Sequence, residues 1–195
     1  LREGDPVRLH ALRLKGAHLL EQEPFTDERG SFNRTFDAPL LEAHGLRSRV
    51  AQAALSHNHR AGTLRGLHLQ LPPAAEAKII SCWQGALYDV IVDLRPGSST
   101  RGQWYATTLR AGDRRMLYVP EGFAHGYQAL EDGTVAHYTM SSPYTPACAR
   151  GIRWDDPQLA ISWPLPDPIL SARDAAMPTL AAFLAGDDAA RLPPA

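Results

Sequence analysis

Between Ala17 and Leu165 the chain is a succession of short apolar or alternating runs, each closed by turn residues. That punctuation limits it to an all-β sandwich or barrel. The clearest runs are "AKIISCWQGALYDVIVDL", "GQWYATTL", "RRMLYVP" and "VAHYTM". Between them stand Gly85, "RPGSS" at 95–99, "AGD" at 111–113, "PEG" at 120–122 and "EDG" at 131–133, all of them residues that turn a chain. Helix is expected only at "APLLEAHG", 38–45, closed by Gly45, and in the alanine-rich tail, as one or two short helices. The reading is a single domain over 1–195, with a β core at about 17–165 and a helical tail at 172–195. The 16 prolines, clustered in "LPP", "SPYTP" and "WPLPDP", suit rigid loops around such a core.

A net charge of −1 excludes the global basic field on which non-specific nucleic-acid binding depends, so an anionic partner must be held by local arginines. The two cysteines, Cys82 and Cys148, follow no metal-like spacing and point to a reducing compartment. No apolar run reaches membrane-spanning length, and "LREGDPVRLHALRLKG" lacks a signal-peptide core. The expectation is a soluble cytoplasmic protein with no nucleic-acid or membrane partner.

Eight histidines are where chemistry is sought first. His57 and His59 make a His-x-His pair, but no Glu follows until Glu76, and a metal needs a third and fourth ligand. His68 lies in "TLRGLHLQ", where alternation sets Leu67 and Leu69 on one face and Gly66, His68 and Gln70 on the other. Thr63 and Arg65 fall on the leucines' side unless a bulge at Gly66 re-aims the strand. A His and Gln face inside an all-β domain marks a cleft or a hydrogen-bonded core histidine, and the segment alone leaves both open.

His68, Gln70, Glu76 and Gly85, followed by "YVPEGFAHGY" with His125, resemble the paired motifs of the cupin superfamily. The resemblance implies a jelly-roll β-sandwich or barrel with a few short helices, mainly near the C-terminus. Metal-binding cupins usually carry a second histidine where Gln70 stands. An amide oxygen is a poor ligand for a borderline metal, so the expectation is an organic site with no metal.

Seven segments sharpen the resemblance: "FTDERGSF", "TLRGLHLQLPPAAEAKII", "GALYDVIVDLRPGSSTRGQW", "LYVPEGFAHGYQAL", "YTMSSPYTP", "GIRWDDPQLAISWP" and "LSARD". In this order and spacing the chain is similar to the dTDP-4-dehydrorhamnose 3,5-epimerases. The resemblance implies a homodimer that needs no cofactor and takes a nucleotide-diphospho-sugar whose ketone makes the flanking carbons acidic. A proton is removed to leave an enolate, and one is returned to the opposite face at C3, C5 or both.

The resemblance also implies residue roles. His68 matches the base and Asp174 the carboxylate that orients it. Tyr138 matches the acid, since a phenol is a weak acid suited to reprotonating a carbanion-like centre. Lys78 matches the cation beside the ketone oxygen. Arg29, Arg65 and Arg173 match positions at or beside phosphate, which Arg grips with parallel hydrogen bonds. His125 matches a substrate contact, Tyr144 an aromatic that stacks on the base, and Gln52 a polar group near it.

Three departures stand out. His57, Asn58 and His59 occupy positions where small hydroxyls are common, and Asn58 is expected to contact substrate. Arg34 and Arg150 stand where glutamates are usual near the nucleotide, which leaves the base open. Three alternatives remain: a 3- or 5-epimerase only, a metal-dependent cupin using His57, His59, His68 and His125, and a non-catalytic sugar-nucleotide binder.

Overall fold

A computed structural model describes residues 6–195. The strands, in chain order, are β1 (Val7–Ala11), β2 (His18–Gln22), β3 (Phe25–Asp27), β4 (Gly30–Phe32), β5 (Gln52–Asn58), β6 (Leu64–Gln70) and β7 (Lys78–Gln84). They continue with β8 (Ala86–Asp93), β9 (Trp104–Arg110), β10 (Arg115–Val119), β11 (Phe123–Ala129), β12 (Thr134–Met140) and β13 (Ala149–Gly151). Two antiparallel sheets face each other as a jelly roll, one ordered β1-β2-β10-β7-β12-β5 and the other β13-β6-β11-β8-β9, while β3 and β4 form a separate hairpin. The turn at Gly85 splits the long run of 77–94 into β7 and β8, which lie in different sheets. Strand β1 lies ahead of the 17–165 stretch, and its Val7 is buried against the sheet face behind the sandwich.

The interior is filled from both sheets by Ile80, Leu87, Ile91, Leu109, Leu117 and Phe123. Each sheet is also covered on part of its outer face. Helix α1 (Ala38–Ala43) presses Leu41 onto Leu20, Ile79 and Met116. Of the tail helices α2 (Ala172–Ala175), α3 (Leu180–Ala185) and α4 (Asp187–Ala190), the last two bring Leu180, Phe183 and Ala189 against Leu67, Leu69, Val90 and Val92. Double coverage explains why β7 and β8 read as nearly continuous apolar runs rather than as alternation. The α1 cap is local: the Asp37 carboxylate accepts from the Leu40 amide at 3.1 Å, and Gly45 follows the helix at φ +69°.

Strand β6 carries the bulge on which the orientation of Arg65 depended. In its ladder with β11, His68 pairs with His125 but Arg65 pairs with Tyr127, so Gly66 and Leu67 together oppose Gly126. A Cβ on Gly66 would lie 2.5 Å from the Gly126 Cα, and Gly66 has φ +128°. Only glycine allows the backbones to approach this closely with that torsion. The extra residue turns Arg65 onto the side of His68, and both line one cavity.

Candidate active site

The space between the sheets opens as two adjoining lobes of about 460 and 490 Å³. His68, Lys78, Tyr138 and Arg173 line both lobes and meet where the two join. Arg65, His125, Tyr127 and Asp174 complete the first lobe; Gln52, Gln70, Glu76, Tyr144 and Arg150 belong to the second. His68 comes from the five-stranded sheet, whereas Lys78 and Tyr138 come from the six-stranded one. Base and acid candidates therefore stand on opposite walls.

His68 Nε2 lies 2.7 Å from Asp174 Oδ1. A carboxylate only accepts, so Nε2 carries the hydrogen and Nδ1 keeps its lone pair. Asp174 reaches this position because the segment before α2 runs beside the start of β6: Leu64 N donates to Ile169 O at 3.0 Å, and Ile169 N to Gly62 O at 2.9 Å. Ser171 then caps α2 by accepting from the Asp174 amide at 3.1 Å. Burial pushes the Asp174 carboxyl up, but hydrogen bonds from His68, the Gly66 amide and Ser171 outweigh it, and its pKa ends below the ordinary carboxylate value.

A second histidine–carboxylate pair lies behind the same lobe. His125 Nε2 donates to Asp89 Oδ1 at 2.5 Å, and Asp89 is fully buried, its Oδ2 without a hydrogen-bond partner among the described residues. Sequence reading missed Asp89 because it sits inside the apolar run of β8; a charged residue in such a run calls for a buried partner, and that was its signal. Lys78 Nζ lies 3.2 Å from Glu76 Oε1, with both side chains largely buried.

The arginines divide. Arg65 and Arg173 line the first lobe, and Arg65 Nε is anchored on Asn58 Oδ1 at 3.0 Å. Asn58 itself lines neither lobe. It is 2% exposed, and its amide donates to Ser56 O, Thr134 O and the Tyr127 hydroxyl. Expected as a substrate contact, it is placed behind the first lobe, where it holds Arg65. Arg29 also lies outside both lobes, at the β3–β4 turn, with its guanidinium on Asp27.

In the second lobe, Gln52 Oε1 accepts from the Tyr144 amide at 2.8 Å, and the Tyr144 hydroxyl accepts from Arg173 at 3.3 Å. The Tyr144 ring remains half exposed, available for stacking. Arg34 faces Asp37 at 2.8 Å, away from the lobes. Arg150 lines the second lobe but binds the Asp188 carboxylate and the carbonyls of Ala147 and Ala149.

The four histidines of the metal alternative do not converge. Ser56 and Asn58 of β5 point inward, so His57 and His59 emerge on the exposed side while His68 and His125 face the cleft. The Gln70 amide is taken up by protein groups on both its atoms. Among the described residues no helix is long and apolar enough to cross a membrane.

A family model described as dTDP-4-dehydrorhamnose 3,5-epimerase matches residues 11–182. The chain is 42% identical over 164 residues to a dTDP-4-dehydrorhamnose 3,5-epimerase of Methanothermobacter thermautotrophicus, covering 83% of this chain and 88% of the relative. It is 41% identical over 169 residues to a dTDP-4-dehydrorhamnose 3-epimerase of Streptomyces niveus, covering 86% and 81%. Its fold is similar to the crystal structure of a dTDP-6-deoxy-D-glucose-3,5-epimerase from Legionella pneumophila in complex with dTDP-4-keto-L-rhamnose. That match has a TM-score of 0.87 and 34% identity, and it covers 97% of this chain and 98% of the other.

Proposed function

Since the chain belongs to the dTDP-4-dehydrorhamnose 3,5-epimerase family, we propose a division of labour among its cleft residues. The protein is an isomerase that epimerises a nucleotide-linked 4-keto-6-deoxyhexose beside its ketone. His68 Nδ1 takes the proton from the carbon next to the carbonyl, and Asp174 holds the resulting imidazolium. The electron pair moves into the carbonyl, and Lys78 stabilises the enolate oxygen. Tyr138, on the opposite sheet, returns a proton to the other face and inverts the centre. No electrons leave the sugar, so the reaction as written needs no redox cofactor.

The observation that carries this reading is the His68–Asp174 pair facing a wall that holds Tyr138 and Lys78. Arg65 and Arg173 hold the pyrophosphate, His125 contacts the sugar, and the base stacks on Tyr144 beside Gln52 in the second lobe. Arg29 serves this chemistry from a second copy in a homodimer, where its hairpin enters the neighbouring cleft. The outward-facing Phe25 and Phe32, 67% and 68% exposed on that hairpin, support this arrangement. Two free thiols favour the reducing cytoplasm.

The Streptomyces niveus relative favours a second reading, inversion at C3 alone. Proton NMR of dTDP-4-keto-6-deoxyglucose in heavy water with the protein decides between them. Deuterium entering C3 and C5 with both centres inverted in the ring coupling constants supports double epimerisation, exchange and inversion at C3 alone support the second reading, and none at either carbon overturns both.

A further inference from the structure

Gln70 stands where a metal-binding cupin would place a ligand, and the proton-transfer scheme gives it no task. It is 3% exposed, and its hydrogen bonds connect two parts of the site that do different work. Its Nε2 lies 3.1 Å from Glu76 Oε2 and 3.1 Å from each of the carbonyls of Ala74 and Pro143. Its Oε1 accepts from the Thr145 amide at 2.6 Å. Glu76 uses its other oxygen on Lys78 Nζ at 3.2 Å. One chain of polar contacts thus runs from the loop around Tyr144, through Gln70 and Glu76, to the ammonium where the two lobes join.

We propose that Glu76 and Gln70 are positioning residues: Glu76 aims the Lys78 ammonium, and Gln70 couples that aim to the loop that carries Tyr144. The inference rests on the epimerase reading above. A lysine ammonium is a point charge on a flexible four-carbon stem, so it must be fixed by a partner before it can serve an oxyanion at one location. Glu76 is that partner and is itself held by Gln70. The 143–145 loop is held at both ends by the same amide, at the Pro143 carbonyl and the Thr145 N–H. A base stacked on Tyr144 loads this loop and orders it further. Binding energy gathered at the nucleotide, remote from the reacting carbons, thereby steadies the charge that lowers the barrier. Linked buried hydrogen bonds of this kind are worth more together than singly.

The test is a double-mutant cycle on the full-length protein, read as kcat, as KM, and as the Kd of TDP. Glu76→Gln keeps the shape and removes the charge; kcat is expected to fall about tenfold, with KM and the TDP Kd within about twofold of wild type. Gln70→Leu should lower kcat similarly and also weaken TDP several-fold, because the loop loses both anchors. Tyr144→Ala should lower kcat in the wild-type background but add little to Glu76→Gln, whereas independent residues would multiply. Glu76→Asp, which restores the charge on a shorter arm, should recover part of the lost kcat. Wild-type turnover in Glu76→Gln, or multiplicative effects in the cycle, overturns the proposal even if Gln70→Leu does not fold. Failure of wild-type protein to exchange deuterium into any 4-keto sugar nucleotide overturns the epimerase reading instead.

Discussion

His68 stands directly opposite His125 across the β6–β11 ladder, and each ring donates Nε2 to a carboxylate of its own, Asp174 at 2.7 Å and Asp89 at 2.5 Å. The pairs differ in access: the His68 side chain is 35% exposed and that of His125 9%. His68 combines a fixed tautomer with the wider access to the cleft. His68→Ala is therefore expected to lower deuterium wash-in by about 10³-fold, within the usual worth of a general base. Asp174→Asn lets the ring take the wrong tautomer and should cost about 10²-fold. Asp89→Asn should act mainly on KM. NMR exchange rates measured as a function of substrate concentration, giving kcat and KM separately, check all three.

Tyr138 faces His68 from the other sheet. Removing its hydroxyl leaves proton abstraction intact and deprives the enolate of an acid on the second face. Tyr138→Phe should exchange deuterium while returning mostly unepimerised sugar, a split visible in the ring coupling constants of the product. Full epimerisation by this variant would show that another group is the acid.

The bulge that puts Arg65 beside His68 depends on glycine at position 66. An alanine there would force its Cβ to within 2.5 Å of Gly126 Cα and 2.9 Å of the His125 carbonyl, at a torsion side chains avoid. Gly66→Ala is expected to cost about 3 kcal/mol from strain and overpacking together. Gly62→Ala also has positive φ, at +82°, but meets nothing within 4 Å, and should cost about 1 kcal/mol. Thermal unfolding of the two variants separates crowding from torsion.

The Tyr118 hydroxyl accepts from the Arg47 amide at 2.9 Å, and burial pushes its pKa up to about 12. A phenol is charged when deprotonated, so a raised pKa means the folded state favours the neutral form. Unfolded chains lose this proton near pH 10, so stability is complete below that, declines between about 10 and 12, and stays reduced above. Denaturant titrations across this range should show the decline, and Tyr118→Phe should flatten it. An unchanged slope in Tyr118→Phe would assign the alkaline limb to another group.

How much of this was legible in the sequence depends on sequence distance. Turn residues marked the boundaries between strands, and Gly45 closed α1, because those signals act within a few positions. His68 drew attention by its place in one strand, and the bulge at Gly66 could be named as a condition. Its partner Asp174 lies 106 positions away, where no periodicity reaches, and was found only through family resemblance. The same limit hid Asp89, and it hid that Asn58, expected at the substrate, lies outside both lobes with its Oδ1 accepting from Arg65.

Arg150 gives the last prediction. Arg150 in place of the usual glutamate left the nucleotide open, and its guanidinium lines the second lobe, where a role in reading the base would be sought. Yet four of its five N–H groups are committed, two to Asp188 and one each to the carbonyls of Ala147 and Ala149. Asp188 in turn holds Arg191, whose Nη2 reaches the Pro72 carbonyl at 3.1 Å. Arg150 is thus primarily a clasp between β13 and α4. The hydrogen bond from Arg150 holds the Asp188 carboxyl below its ordinary pKa. A depressed carboxylate stabilises above its unfolded value and loses that contribution as pH falls through the folded one, so the clasp should hold at neutral pH and weaken on acidification below the ordinary carboxylate range. Arg150→Ala should therefore lower stability by about 1 kcal/mol at neutral pH, and the difference from wild type should vanish in acid. Its KM for the dTDP sugar should stay within about threefold of wild type. A much larger rise in KM with unchanged stability would make Arg150 a reader of the base instead.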